Sequence, residues 1–330
     1  MQASFLFLYA EMMNYSSEVF LKIAKSVDTT VIAKSKGVHN QKTNFSYIKR
    51  ENTNLFKLLK LILNKKPKYI FISGFMDFSY IFCAVIYKFF HPKNHIICLS
   101  DKQGKSINFA KKIIYKFIFS KYIAVGPRQY DFAINLLGYK ARNVYKGFYS
   151  AQDIFFNPIK VKKRPIRFLF IGRTIKIKGF DALLKSIKLL NSNKTIVELD
   201  VVGPPRELCD NVNYLGYFDA SEIIKLVHEN NYVGVLPSFF EPYGLVLHEF
   251  VAMGLPVITS TKTGASDVFI EDGLNGRIIE DINEKTICEA LNYYLKISYK
   301  RFKEQSELSI LKSKKITSSD IANMFTLNFK

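Results

Sequence analysis

The sequence has few cysteines, and their spacing excludes the sites that cysteines usually form. Cys83, Cys98, Cys209 and Cys288 lie far apart, with no Cys-x-x-Cys pair and no other metal-ligand spacing. We therefore expect reduced, mostly buried thiols in a cytoplasmic protein. The chain also lacks the Gly-x-x-x-x-Gly-Lys-Ser/Thr and Gly-x-Gly-x-x-Gly patterns, so neither of these two familiar nucleotide-binding motifs is present.

Acidic residues are scarce in the first half of the chain. Residues 1–160 hold 25 Lys and Arg against 8 Asp and Glu, a net charge of +17, whereas residues 161–330 hold 23 against 20, a net charge of +3. Such a surplus should attract a polyanion, either nucleic acid, an anionic membrane face or a phosphorylated substrate. The alternative is a Lys-rich composition that fills solvated faces, although that bias would affect both halves alike.

No long apolar stretch of the sequence is free of charge. The longest, residues 69–90, approaches the length of a membrane span but carries Asp77 near its middle and a break at Ser73-Gly74. Because a charge at that depth is costly in lipid, we expect a buried strand over 69–73 and an apolar helix over 78–90. The amino terminus has no basic region before its apolar run and no cleavage site after it, so we expect a buried strand there and no signal peptide.

Short apolar runs alternate with segments of helical period, which is typical of α/β proteins with parallel sheets. Strands are predicted at 5–9, 30–33, 69–72, 95–99, 122–125, 166–171, 196–202, 232–236 and 256–259, and helices include 17–24, 55–63, 78–90, 107–119 and one that begins near residue 180. Residues 157–165, NPIKVKKRP, are polar and basic and are typical of a linker. We therefore predict two Rossmann-like domains, 1–160 and 161–310, followed by a tail, 311–330, for which a helix returning to the first domain is one option.

The first candidate site lies in FLFIGRTIKIKGF, residues 168–180. An apolar strand ends at Gly172-Arg173, and Lys178-Gly179 begins a helix. Ligands of open α/β sheets bind at the carboxyl ends of strands, and a helix amino terminus presents unpaired N–H groups to anions. Arg173 can grip two oxygens of a diphosphate and Lys178 supplies a point charge. A solvated basic loop is the alternative.

The second candidate site lies in LPSFFEPYGLVLHEFVAMGLPVI, residues 236–258. Glu241 precedes a helix that begins near Gly244, so its carboxylate can face a ligand, and the N–H groups of Gly244, Leu245 and Val246 would point at the same pocket. Glu249 lies about 1.5 turns inside that helix. Taken singly, Glu249 could equally offset the helix dipole, and Glu241 could be an ordinary loop carboxylate.

Together the two segments resemble the donor-site signature of glycosyltransferase family 4, whose members are group 1 glycosyltransferases. The matching patterns are S-x-x-E-P-Y-G-x-x-x-x-E followed by A-M-G-x-P-V, and G-R-x-x-x-x-K-G over residues 172–179. The resemblance covers residues 165–280, including Leu215-Gly216-Tyr217, and is weaker before residue 120. It implies a GT-B fold, in which two Rossmann-like domains with parallel sheets face an interdomain cleft. It also implies transfer from a nucleotide sugar with retention of configuration, without a required metal or other cofactor.

The resemblance also assigns roles to individual residues. Arg173 and Lys178 would hold the diphosphate, Glu241 would be the catalytic residue that contacts the donor sugar, and Glu249 would bind ribose hydroxyls. The implied donor-binding set is Gly172, Arg173, Lys178, Tyr217, Gly244, Leu245, Val246 and Glu249. The chain has no Asp-x-Asp motif, which agrees with metal-independent transfer in which the two basic residues neutralise the leaving diphosphate.

In the first half the match to the family is looser. Residues 10–13, AEMM, stand where many members carry a Gly-Gly turn, and Lys146 replaces an Asn. Asp101 follows the strand predicted over 95–99, and it is the candidate for a second catalytic group at the reaction centre. A helix N-cap at Ser100-Asp101 is the alternative.

The basic first half points to the partners of such an enzyme. The cationic segments 55–66 and 107–121 suit an anionic membrane surface, with two core-packed helices and solvated lysines as the alternative. Because the first domain of a GT-B enzyme handles the acceptor, we expect a hexosyltransferase that acts on a glycan or lipid-linked acceptor. Its pathway would be bacterial surface polysaccharide synthesis, such as lipopolysaccharide, O-antigen or capsule, and its place the inner face of the plasma membrane as a peripheral protein. The other functions considered are a GT-B nucleotide-sugar epimerase or hydrolase, and a basic nucleic-acid-binding protein, for which no binding motif is present.

Overall fold

The apolar runs of the sequence form the strands of two parallel sheets, one in each of two units. The structure is a computed structural model that describes residues 4–34, 44–75, 77–104, 106–161, 163, 167–193, 196–207 and 209–329. One unit consists of Met1–Ser150 with Ser318–Lys330, and the other of Ala151–Thr317. Each unit has its own buried apolar core.

The first unit is built on a parallel sheet of seven strands. Its strands are β1 (Ser4–Glu11), β2 (Asp28–Lys34), β3 (Ser46–Lys49), β4 (Tyr69–Ile72), β5 (His95–Ser100), β6 (Lys121–Val125) and β7 (Val144–Gly147). Its helices before residue 150 include α1 (Asn14–Ile23), α2 (Leu55–Lys65), α3 (Phe78–Phe90), α4 (Phe109–Ile118) and α5 (Pro127–Asp131). The strand order is β3-β2-β1-β4-β5-β6-β7, so the chain changes direction across the sheet between β1 and β4.

The second unit is built on a parallel sheet of six strands. These are β8 (Arg167–Ile171), β9 (Glu198–Val202), β10 (Val212–Gly216), β11 (Tyr232–Leu236), β12 (Val257–Ser260) and β13 (Gly276–Ile279). Its helices include α6 (Phe180–Ser192), α7 (Ala220–Glu229), α8 (Leu245–Ala252), α9 (Ser266–Phe269), α10 (Glu284–Lys296) and α11 (Tyr299–Ser313). The strand order is β10-β9-β8-β11-β12-β13, with the change of direction between β8 and β11.

A last helix, α12 (Ser318–Asn328), belongs to the first unit and packs against α1. The ring of Phe325 on α12 meets the rings of Phe7 and Phe71 edge-on, with centroids 5.4 and 5.1 Å apart. Because alternate strand residues point to opposite faces of a sheet, Leu6 and Leu8 face the other side, where they share a core with α2, α3, α4 and α5. The tail that the sequence delimits as 311–330 thus divides between α11 and α12.

Residues 151–159 lie in the second unit. The N–H of Ala151 donates to Nδ1 of His248 at 3.0 Å, and the N–H of Ile159 donates to the carbonyl oxygen of Met253 at 3.0 Å. The units therefore divide at Ser150, ahead of the boundary placed at residue 160 from the sequence. Positions 162 and 164–166, which include part of the predicted linker and the first residue of the predicted strand 166–171, lie outside the described residues.

The predicted strand at 69–73 is observed as β4, residues 69–72, and the predicted helix is α3, residues 78–90. Asp77 caps α3, accepting a hydrogen bond from the N–H of Ser79 at 2.9 Å, and it pairs with Nε of Arg50 at 3.2 Å. The charge that interrupts the apolar stretch thus satisfies a helix end that would otherwise be unpaired. Among the helices of the described residues, none has the length and apolar character that crossing a membrane requires.

Candidate functional site

The carboxyl ends of β8 and β11 bring the two predicted motifs of the second unit together. These strands are neighbours, but the chain continues from β8 to β9 on one side and from β11 to β12 on the other. Such a switch point leaves a crevice beside the strand ends, and ligands of open α/β sheets bind there. Arg173 follows β8 and Glu241 follows β11, so both predicted site residues lie at this crevice.

Glycines allow three neighbouring strands to end close together beside Arg173. Gly172 has φ of +143°, and its N–H donates to the carbonyl oxygen of Val202 at 3.0 Å. The N–H of Gly203 donates to the carbonyl oxygen of Gly216 at 2.8 Å. A Cβ atom on Gly203 would lie 2.1 Å from the carbonyl oxygen of Gly172, so a side chain cannot fit. This close approach leaves Arg173 exposed at the end of β8.

Lys178 is positioned by contacts between the turn before α6 and the end of β11. The N–H of Phe239 donates to the carbonyl oxygen of Ile177 at 2.8 Å. Gly179, with φ of +73°, comes so near Pro237 that a Cβ atom would lie 1.9 Å from the Pro237 carbonyl oxygen. As a result, Nζ of Lys178 forms an ion pair with Oε2 of Glu241.

The Lys178–Glu241 pair is largely removed from solvent. The side chains are 19% and 15% exposed, respectively. Burial lowers the pKa of Lys178, and the positive charge of Arg173 acts in the same direction. Arg173 and Lys178 are two basic residues, and Glu241 is the single carboxylate that pairs with Lys178. The resulting excess of positive charge suits a diphosphate.

The loop that carries Glu241 is supported by a segment that the sequence analysis missed, Lys262–Ala265. The N–H of Glu241 donates to the carbonyl oxygen of Lys262 at 3.1 Å, and the N–H of Gly264 donates back to the carbonyl oxygen of Glu241 at 3.0 Å. A Cβ atom on Gly264 would lie 2.1 Å from the carbonyl oxygen of Pro242. The available signal was a Gly just after the strand predicted over 256–259, where another part of the backbone approaches closely.

Helix α8 begins directly beside Glu241. Gly244 precedes it with φ of +89°, and a Cβ atom there would lie 2.9 Å from Cγ of Glu241. Leu245 and Val246 are its first residues, and the first amides of a helix have no partner within the helix. Glu249 lies farther along α8 and is partly buried, and desolvation raises the pKa of its carboxyl to about 7. The helix thus offers free amides near Glu241 and a carboxyl that holds its proton close to neutral pH.

The remaining predicted residues, Tyr217 and Asp101, lie elsewhere. Tyr217 follows β10 at the edge of the second sheet, and its side chain is 81% exposed. Asp101 belongs to the first unit, where it follows β5 and lines a cavity. Burial raises the pKa of Asp101.

The alternative interpretation of Asp101 as a helix cap is wrong. The helix predicted over 107–119 begins at Phe109, and Asn108 caps it by accepting a hydrogen bond from the N–H of Lys111 at 2.8 Å. Residues 102–104, which follow Asp101 directly, have no helical structure. Among the residues that the structure describes, no three His, Cys, Asp or Glu side chains cluster as metal ligands would.

Solved glycosyltransferases share the fold of the whole chain. A glycosyltransferase from Rickettsia africae gives a TM-score of 0.79 at 13% sequence identity, over 99% of this chain and 97% of that chain. HepE from Anabaena, in complex with UDP and glucose, gives 0.74 at 14% identity, over 98% of each chain. With two parallel-sheet α/β units, these similarities confirm the predicted GT-B fold.

A family model matches the sequence of the second unit. Residues 151–309 match the family model of glycosyl transferases group 1. The chain is 31% identical over 178 residues to an uncharacterized 41.2 kDa protein in the cps region of Klebsiella pneumoniae, covering 53% of this chain and 49% of that protein. It is 31% identical over 132 residues to the capsular polysaccharide biosynthesis glycosyltransferase CapM of Staphylococcus aureus, covering 37% and 34%. The chain thus spans half or less of the length of these relatives, and the matches support the group 1 family that residues 165–280 resemble.

Proposed function

We propose that the protein is a retaining glycosyltransferase of family 4 that moves a sugar from a nucleotide-sugar donor to a glycan or a lipid-linked acceptor. The observation that carries the proposal is the Lys178–Glu241 ion pair at the switch point of the second sheet, with Arg173 beside it. A diphosphate brings the negative charge that this cluster can bind, and a donor sugar next to it would meet Glu241.

In this proposal each part of the crevice has one task. Arg173 and Lys178 bind the diphosphate and stabilise the charge that grows on it as the sugar leaves, without a metal or other cofactor. Glu241 orients the sugar, and the amides of Leu245 and Val246 help to hold the sugar and phosphate. The donor-binding set also includes Gly172 and Gly244, which shape the backbone, Glu249 for ribose hydroxyls, and Tyr217 near the base. Asp101 is the polar group that the first unit would bring to the acceptor.

The similar proteins favour a particular donor and pathway. HepE binds UDP-glucose, and a second structural neighbour is the lipopolysaccharide outer core galactosyltransferase WaaB. Together with CapM, they favour a UDP-hexose donor and a role as a hexosyltransferase in bacterial surface polysaccharide synthesis. The net charge of +17 over residues 1–160 supports a cytoplasmic protein held peripherally at the inner face of the plasma membrane.

Donor binding and transfer provide the test. UDP and UDP-glucose should raise the unfolding temperature of the unaltered chain, because a ligand that binds only the folded state stabilises it. Lys178→Ala and Arg173→Ala should each weaken this shift, and Glu241→Ala should abolish transfer of the sugar to acceptor lipids or glycans extracted from a bacterial envelope. Lys185→Ala is the matched control, because it removes an exposed lysine of α6 that pairs with Glu284 at 3.6 Å.

Two outcomes would contradict the proposal. Full transfer activity of Glu241→Ala would exclude its role at the sugar. Rapid conversion of UDP-glucose by the unaltered chain in the absence of any acceptor would instead indicate a nucleotide-sugar hydrolase or epimerase.

A further inference from the structure

The ion pair between Lys178 and Glu241 joins two side chains to which the proposed function gives different ligands. The ammonium of Lys178 is to bind the diphosphate of the donor, and the carboxylate of Glu241 is to meet its sugar. In the structure these two groups bind each other, and only 19% and 15% of their side chains are exposed. Because little water screens such a pair, its attraction exceeds that of an exposed pair. A diphosphate therefore has to compete with Glu241 for Lys178.

Hydrogen bonds fix the main chain on both sides of the ion pair. On the lysine side, the N–H of Phe239 donates to the carbonyl oxygen of Ile177 at 2.8 Å. On the glutamate side, the N–H of Glu241 donates to the carbonyl oxygen of Lys262 at 3.1 Å. The N–H of Gly264 donates back to the carbonyl oxygen of Glu241 at 3.0 Å. The two charged side chains can therefore exchange partners by rotation alone, while the main chain keeps its place.

The start of α8 provides room beside the carboxylate of Glu241. A Cβ atom on Gly244 would lie 2.9 Å from Cγ of Glu241, so glycine at this position leaves space for that side chain. Leu245 and Val246 follow as the first residues of the helix. A carboxylate that turns away from Lys178 thus remains beside α8, where the sugar of the proposed donor would lie.

The charges around Lys178 favour the exchange of one anion for another. Desolvation and the positive charge of Arg173 both lower the pKa of Lys178. A charged ammonium in such surroundings needs an anion close to it, and Glu241 supplies one. A diphosphate carries more negative charge than a carboxylate and can bind Arg173 and Lys178 together. It can therefore take the place of Glu241 without leaving the ammonium unpaired.

We propose that Glu241 is an internal competitor of the diphosphate, which pairs with Lys178 until a nucleotide sugar binds. The diphosphate then takes over Lys178, and hydroxyl groups of the sugar donate hydrogen bonds to the released carboxylate. This inference rests on the proposed function and adds a step of selection to its donor site.

The competition distinguishes a nucleotide sugar from the nucleotide diphosphate that remains after transfer. Both ligands separate Lys178 from Glu241, but only the sugar offers the carboxylate new partners. A largely buried carboxylate that has lost its partner is costly. The diphosphate product is therefore held less firmly than in a site without Glu241, and the return of Glu241 to Lys178 promotes its release.

The test compares the binding of UDP and UDP-glucose to the unaltered chain and to Glu241→Gln by titration calorimetry. The amide keeps the shape of the carboxylate but carries no charge that competes for Lys178. UDP should bind Glu241→Gln about tenfold more tightly. UDP-glucose should gain less, because its hydroxyl groups lose a charged acceptor. Glu207→Gln is the matched control and should change neither affinity, because Glu207 pairs with Lys188 at 3.0 Å on the exposed surface.

A second variant separates an exchange of partners from simple repulsion between Glu241 and the diphosphate. Lys178→Gln removes the ammonium but keeps a hydrogen-bond donor for the carboxylate. If UDP gains affinity because Lys178 is released, Glu241→Gln should have little effect once Lys178→Gln is present. An equal gain in both backgrounds would show repulsion alone and overturn the exchange. Should Lys178→Gln fail to fold, equal gains of UDP and UDP-glucose in Glu241→Gln alone would overturn it.

Inorganic pyrophosphate distinguishes failure of this inference from failure of the proposed function, because it has the charges of the diphosphate without nucleoside or sugar. If the unaltered chain binds UDP and transfers sugar, but Glu241→Gln binds UDP no more tightly, the inference is wrong and the proposed function stands. If UDP and UDP-glucose do not bind, but pyrophosphate binds and gains affinity in Glu241→Gln, the donor assignment fails and the competition stands. If pyrophosphate does not bind either, both are wrong.

Discussion

At the scale of single residues, Glu249 makes stability depend on pH. Desolvation raises the pKa of its carboxyl from 4.5 to about 7. The folded state therefore holds this proton more tightly than the unfolded state, and the contribution of Glu249 to stability falls as the pH rises through that interval and is constant above it. We expect Glu249→Gln, compared with the unaltered chain by urea unfolding, to gain relative stability from about pH 5 to about pH 7 and to keep that gain at higher pH.

The control replaces a residue of the same unit that carries no titratable group. Leu311 on α11 is 65% exposed, and Leu311→Gln should keep a constant stability difference over the same pH range. A constant difference for Glu249→Gln would show that the carboxyl of Glu249 is ionised throughout this pH range.

If ribose hydroxyls donate hydrogen bonds to the carboxyl of Glu249, they favour its ionised form. UDP binding near neutral pH should then release protons, and calorimetry in two buffers measures this release.

Gly179 is the residue at which one added methyl group should have the largest effect on the donor crevice. Its φ of +73° disfavours alanine, and the new Cβ would collide with the carbonyl oxygen of Pro237. Gly273 has nearly the same φ, +75°, but the nearest atom to a Cβ there is 3.8 Å away. We expect Gly273→Ala to cost about 1 kcal/mol and Gly179→Ala clearly more, measured by urea unfolding of the whole chain. Equal costs would mean that the Pro237 contact contributes nothing.

At the scale of elements, strands inside the sheets could be predicted from the sequence, and strands at the edges could not. The four strands without a prediction are β3, β7, β10 and β13, and each is an outer strand of its sheet. A central strand is covered on both faces and forms a continuous apolar run, as the FLFI of β8 shows. An edge strand is partly exposed, so its sequence includes polar residues, such as SYIK in β3 and VNYLG in β10.

The position of α3 was predictable, but its exposed side was not. Its sequence is apolar almost all round, which predicts burial. The structure buries Tyr80, Cys83, Ala84 and Tyr87 and leaves Phe78, Phe82 and Phe89, spaced by four and seven residues, in solvent. Both the buried and the exposed set of apolar residues recur with the period of a helix, so only tertiary packing decides which set is buried.

For the candidate site, the motif residues were predictable from strand–turn–helix spacing. The supporting segment 262–265 was not, because it acts through backbone hydrogen bonds, which carry little sequence signal.

Substitutions in α12 measure how much this helix, which is distant in sequence, stabilises the first unit. Phe325 is 2% exposed and packs on Phe7 and Phe71, whereas Leu327 on the same helix is 70% exposed. We expect Phe325→Ala to lower the free energy of unfolding by about 3–5 kcal/mol and Leu327→Ala by about 0.5 kcal/mol or less. Hydrogen exchange at the amides of β1 and β4 measures the effect in the first unit. Equal protection in both variants would show that α12 is not a structural part of it.

At the scale of the whole molecule, each unit has its own apolar core. We therefore expect a ligand that binds one unit to stabilise the two units unequally. The residues of the proposed donor crevice all lie within Ala151–Thr317, whereas Asp101, proposed to meet the acceptor, belongs to the first unit. At a concentration of about 100 times its Kd, UDP should stabilise the state that binds it by about 2.7 kcal/mol. We expect hydrogen exchange to slow most in this unit, with inorganic phosphate as the control. Greater slowing in the first unit would contradict the placement of the donor site.

Helix α12 follows the second unit in the sequence but completes the first. During translation, the ribosome therefore synthesises all of the second unit before the last element of the first unit. The strands of the first sheet leave the ribosome early, with Phe7 and Phe71 still lacking their cover. The second unit is continuous in sequence, so it can finish folding before the ribosome has made α12. The half that is synthesised first is therefore the last to be completed, and a ribosome that stalls within the second unit would release a nascent chain whose aromatic sheet face is open to aggregation.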